Sequence, residues 1–106
     1  PQVDFFSPLA AEDKADKLPV EYALEQNYPN PFNPKTNISF TIPRSASVSL
    51  EIYNAVGQLI GKLVDGQLEG GRHTVTWDAA DYASGVYFYR LKVDDLVETR
   101  KMLLLK

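Results

Sequence analysis

Val86-Tyr-Phe-Tyr-Arg-Leu-Lys-Val-Asp-Asp-Leu-Val-Glu-Thr-Arg-Lys-Met-Leu-Leu-Leu-Lys106 is the stretch that decides the fold. Tyr87, Tyr89, Leu91 and Val93 recur at every second position, the side-chain period of a strand with one face buried. Asp94-Asp95 then supplies two turn-favouring residues, and Leu96–Leu105 resumes an extended run. Two such runs joined by two residues predict an antiparallel hairpin. The second run closes on Met102-Leu-Leu-Leu105, with Arg100, Lys101 and Lys106 around it. It is far too short to span a bilayer, which takes about 20 apolar residues. It is therefore expected to be both a final core strand and a segment that another protein reads, with its backbone edge open.

The same period extends upstream. Ile38, Phe40 and Ile42 alternate in Asn37–Ile42, which Pro43 ends, and Val48, Leu50 and Ile52 alternate in Ser47–Tyr53. Asn54–Gly57 reads as a turn, Gln58–Val64 as a weaker strand before Asp65-Gly66, and Glu69-Gly-Gly71 as another tight turn. Arg72–Asp78 places Val75 and Trp77 on one side, and Asp78–Gly85 is a loop. Six to seven short strands with turns every eight to twelve residues predict an all-β antiparallel sandwich rather than alternating β and α units. Trp77, beside Phe40, Leu50 and Tyr89, is the expected centre of its core.

Ahead of the strands, Asn27-Tyr-Pro-Asn-Pro-Phe-Asn-Pro34 holds three prolines. Each fixes φ, removes a backbone donor and biases its predecessor toward extended geometry, so an irregular, stiff arm is expected. Tyr28 and Phe32 are its expected anchors. Residues 1–21 are expected to be a linker from a preceding domain and residues 22–106 the domain itself. Pro1–Leu18 lacks an apolar period, with Phe5 and Phe6 as the exception. The first residue is proline rather than methionine, as expected for a piece of a longer exported protein.

Hydrophobic residues make up 44% and charged residues 24% of the chain, as in ordinary globular domains. The net charge of −3 lies wholly in Pro1–Lys35, with six acids against three bases; the remainder is balanced at eight of each. No basic surplus suits nucleic acid. With no cysteine there is no disulfide framework, thiolate metal site or thiol nucleophile. His73 is the only histidine and sits in line with core candidates, so no cofactor and no enzymatic activity are expected. Asp78 and Asp81 are the one pair to weigh as Ca²⁺ ligands, but they lack the glycine and distal glutamate of a calcium loop; local capping is the plainer reading. Phe88 projects away from Tyr87 and Tyr89, either under a loop or against a partner.

Five segments in order carry a resemblance: Asn27–Pro34, Asn54-Ala-Val-Gly-Gln58, Gly71–Asp78, Ser84-Gly-Val-Tyr-Phe-Tyr-Arg90 and Lys101–Lys106. The series resembles the C-terminal sorting domain of type IX secretion substrates, from about Leu24 onward. Trp77-Asp78 and Ser84–Tyr87 also look like the Ig-like domain of flagellar hook-capping proteins. The resemblance implies an Ig-like sandwich and a non-catalytic signal that takes an N-terminal cargo through the periplasm and an outer-membrane translocon to the cell surface or medium. It implies a sortase-like protease cutting in the acidic linker before about Tyr22. The family's shared marks map to Asn30, Pro31 and Phe32, to Gly85 and Tyr87, and to Lys101, Met102, Leu103, Leu104, Leu105 and Lys106. Deleting Lys101–Lys106 is expected to block export more than it disturbs the fold. The competing reading is a structural or carbohydrate-binding Ig-like module that uses Phe88 with Tyr82 or Tyr53. A monomer or a domain-swapped dimer is expected.

Overall fold

A computed structural model describes residues 21–106 of the chain. The expectations for Pro1–Leu18, Phe5 and Phe6 among them, lie outside the described residues. Seven strands follow one another: β1 (Ala23–Leu24), β2 (Lys35–Ile42), β3 (Ala46–Tyr53), β4 (Leu59–Leu68), β5 (Gly71–Asp78), β6 (Gly85–Val93) and β7 (Leu96–Leu104). They form two sheets in the orders β1-β2-β5 and β4-β3-β6-β7, with every pairing antiparallel. The expected all-β sandwich is the observed architecture.

The period of two explains the core. Ile38, Phe40 and Ile42 of β2 are fully buried, as are Leu50 and Ile52 of β3 and Tyr89, Leu91 and Val93 of β6. Met102 and Leu104 complete the inner face from β7. Each large side chain so buried contributes about 1.5–3 kcal/mol. The register aligns the alternations: Leu50 faces Leu91, and Tyr87 faces Met102. A one-residue slip would turn every apolar side chain to water, so the pattern fixes the pairing.

Three details differ from expectation. First, β1 went unread because two residues carry no period. Second, β4 runs through Asp65-Gly66 to Leu68 rather than stopping at Val64. Asp65 pairs with Ser49 and lies 3.6 Å from Lys62, so an outward aspartate is accommodated in a strand whose other side is an edge. Third, Trp77 caps one end of the core instead of occupying its centre. It packs at centroid distances of 5.8, 5.6 and 5.4 Å from Phe32, Tyr82 and Tyr87. Phe40 instead stacks on its cross-strand partner His73, at 5.5 Å.

The aromatic end group joins the arm (Phe32), β5 (Trp77), the β5–β6 loop (Tyr82) and β6 (Tyr87). Trp77→Ala should cost about 3–5 kcal/mol, because it opens a cavity where four segments meet. Urea unfolding followed by circular dichroism measures the loss; a change below about 1 kcal/mol would show that the four rings do not share one core.

Candidate functional site

The arm from Glu25 to Pro34 runs along the rim of the sandwich and ties the two sheets together. It begins beside β2: Glu25 N–H donates to Ser39 O at 3.0 Å, and Tyr28 and Asn37 exchange backbone hydrogen bonds of 2.9 Å. Neighbours in an extended segment point to opposite sides, so a Tyr28 aimed at solvent leaves Asn27 aimed inward. Tyr28 is 78% exposed, whereas Asn27 and Phe32 are buried at 2% each. Of the two expected anchors, Phe32 is one and Tyr28 is not; Asn27 takes its place.

A buried amide needs partners, and Asn27 has them. Its Nδ2 donates to Thr36 Oγ1 (3.0 Å) and Pro29 O (3.2 Å), and its Oδ1 accepts from Gln26 Nε2 (2.6 Å). Its backbone N–H donates to Tyr89 Oη at 2.8 Å, while the Tyr89 hydroxyl donates to Glu25 O at 2.6 Å. One phenol from the centre of β6 thus bridges two backbone groups of the arm. Burial pushes the Tyr89 pKa up to about 12. On the exposed side, Arg72 holds Glu25 through bonds of 2.8 and 3.0 Å, and these keep that carboxyl below its ordinary range.

The arm then crosses to β7. Phe32 N–H donates to Leu103 O and Leu105 N–H donates to Phe32 O, both at 3.0 Å. Leu103 N–H donates to Asn30 Oδ1 (3.0 Å), and Gln26 Nε2 to Lys101 O (2.8 Å). The outward backbone groups from Lys101 O to Leu105 N–H are therefore occupied, and the edge expected to stay open is closed over this half. On the other half, Glu98 and Arg100 occupy inward-facing positions, and Arg100 Nε donates to Leu24 O at 2.7 Å. Inward charges on an edge strand oppose promiscuous pairing.

The three marked segments meet here, although about 50 residues separate the first two. Gly85 pairs with Leu104, Tyr87 pairs with Met102, and Phe32 bridges Leu104 in parallel. Gly85 has φ 151°, which side chains rarely adopt, where the chain enters β6 from the loop. Tyr87 donates to Ala83 O at 2.7 Å and fixes that loop. Lys106 N–H donates to Ser84 Oγ at 2.9 Å, and its ammonium reaches Ala80 O. Strand alternation divides β7 itself: Met102 and Leu104 enter the core, while Lys101 and Leu103 face outward and Leu105 is 51% exposed. Deleting Lys101–Lys106 would remove two core residues, so such a truncation does not separate export from folding.

The remaining candidates have structural places. His73 Nε2 lies 2.7 Å from Glu69 O in the neighbouring turn. Asp78 Oδ1 accepts from Ala80 N–H at 3.0 Å, a local turn closure. Among the described residues, no three His, Cys, Asp or Glu side chains cluster as a metal site. Tyr82 is taken into the aromatic end group, and Tyr53 donates to Glu51 at 2.6 Å beneath the Arg90 guanidinium, 4.7 Å from its ring centroid. Neither offers Phe88 a free coplanar partner. Asn27 and Thr36 are the positioning residues that sequence reasoning missed, and Tyr89, expected in the core and found there, also positions the arm through its hydroxyl; the one signal was an asparagine beside a proline-rich turn.

A family model described as the secretion system C-terminal sorting domain matches residues 26–105. No curated protein matches the chain. The matched span begins inside the arm and ends at the strand the arm covers.

Tyr89→Phe should destabilise the domain by about 1–3 kcal/mol, because the Asn27 N–H loses a buried acceptor. An unfolded tyrosine ionises near 10 and folded Tyr89 near 12, so this group's stabilisation is complete below pH 10 and is lost as pH rises toward 12. Urea midpoints taken from pH 9 to 12 should fall less steeply for Tyr89→Phe than for the parent; parallel slopes would show that the Tyr89 hydroxyl is not buried beneath the arm.

Proposed function

The chain belongs to the type IX secretion C-terminal sorting domain family, and on that premise we propose how it is read. The folded domain is recognised in the periplasm by the outer-membrane translocon, which carries the attached N-terminal cargo outward. The recognised feature is composite: Asn30–Phe32, Gly85–Tyr87 and the outward residues Lys101, Leu103 and Leu105. The observation that carries this reading is the bridge from Phe32 to Leu104, beside the Gly85–Leu104 pair, which gathers the three segments around one strand. A sortase-like protease then cuts in the acidic stretch before about Tyr22, ahead of the first strand, so that cleavage leaves the sandwich whole.

This domain acts as a signal and not as a catalyst. Its one histidine is engaged with a backbone carbonyl and an aromatic ring, Asp78 closes a turn, and Asp65 lies beside Lys62.

A fluorescent protein with a signal peptide, fused ahead of the full chain, should reach the surface or medium of a type IX host and be retained in a translocon mutant. Leu103→Asp with Leu105→Asp should lower export about tenfold while the urea midpoint holds, because both side chains face away from the core. Undiminished export of a folded double variant would place recognition elsewhere.

A further inference from the structure

The outer face of the four-stranded sheet is sharply zoned, and nothing in the fold requires it to be. The register sets its residues in rows across β4, β3, β6 and β7. One row reads Asp65, Ser49, Lys92, Val97, and the next Lys62, Glu51, Arg90, Thr99. The following row is Leu59, Tyr53, Phe88, Lys101, and beyond it Val86 pairs with Leu103. Apart from Val97, 56% exposed in the first row, polarity falls along the strands toward the end where the arm crosses. Val56, 80% exposed, and Leu59, 51% exposed, border that end on one side, and Leu105 borders it on the other.

Three hollows open on this apolar zone, and Val86 lies between two of them. One, of about 310 Å³, is lined by Pro31, Val86, Lys101 and Leu103 among others. A second, of about 250 Å³, lies between the Asn54–Val56 turn and Ser84–Tyr87. The third, of about 240 Å³, is bounded by Tyr53, Phe88, Arg90 and Thr99. Charge adds a direction. The rows carry four cations (Lys62, Arg90, Lys92, Lys101) and two carboxylates (Glu51, Asp65), on a chain whose net charge is −3. Both carboxylates are engaged within the face: Glu51 accepts from Tyr53 at 2.6 Å and lies 3.4 Å from Arg90, and Asp65 lies 3.6 Å from Lys62. Of the two cations left over, Lys92 lies in the most polar row and Lys101 lies at the border of the apolar zone, so the cation beside that zone is Lys101.

We propose that this face docks a protein segment whose apolar side chains are flanked by carboxylates, with the apolar groups seated around Val86 and the carboxylates toward Lys101. Exposed apolar patches with a charged border are the ordinary anatomy of a protein interface, and complementary charge sets partner choice more than strength. The inference rests on the sorting reading: the segment belongs to a subunit of the outer-membrane translocon.

The test uses the full chain behind the fluorescent cargo in a type IX host, with the photoreactive residue p-benzoylphenylalanine at Phe88 and, as a control on the other sheet, at Thr76. The Phe88 probe should give an adduct with a translocon subunit, mapped by mass spectrometry to an apolar stretch within a few residues of Asp or Glu; the Thr76 probe should not. Val86→Asp and Lys101→Glu should each reduce both adduct and export about tenfold, and Lys101→Arg should retain them. If Val86→Asp unfolds the domain, Lys101→Glu and the adduct map still decide. A parent fusion that is not exported removes the sorting reading and this inference with it. Normal export of folded Lys101→Glu without a Phe88 adduct overturns the docking face alone. So does an adduct with a second copy of the chain, or one that maps to a basic segment.

Discussion

The backbone edge of β7 is the constraint on which the rest depends. A sheet edge presents unpaired N–H and C=O groups, and an apolar final strand would be the worst place to leave them free. The arm meets this demand with limited means. Three prolines prevent it from forming a ladder, so side-chain amides from Gln26 and Asn30 stand in for backbone groups, and a two-bond bridge at Phe32 does the rest. Such a substitute holds only if the arm is itself fixed. The Asn27 amide and the Tyr89 hydroxyl do that from inside the core, and the Phe32 ring does it within the Trp77 group.

Alternation made the sandwich legible from residues alone. Wherever a strand has one wet face, the buried set can be counted off in twos, and Ile38 through Leu104 follow that count. The arm was not legible in the same way, because its packing rests on a polar residue. Asn27 looks like one more turn former beside Tyr28, and hydrophobicity points to the tyrosine. What reverses the choice is the pairing of Tyr28 with Asn37, a tertiary fact that forces the preceding side chain inward. The closed edge of β7 was hidden for the same reason: its partners lie about 70 residues away and are amides, not a strand. Trp77 shows a milder failure, since size marks a residue as buried but not at which end of the core.

The two demands on the C-terminal segment, folding and display, are separated by parity. Even-numbered Met102 and Leu104 are spent on the core, while odd-numbered Lys101 and Leu103 stay on the surface, and Leu105 lies beyond the strand end. A linear signal would offer all of Lys101–Lys106 to any reader, including one that meets the chain unfolded. Here the outward residues are set beside Val86 and Pro31 only when β6, β7 and the arm have assembled. On the proposed reading, a receptor for that composite surface would distinguish folded from unfolded cargo tails without a separate check, because the inward half of the same strand is what holds the outward half in place.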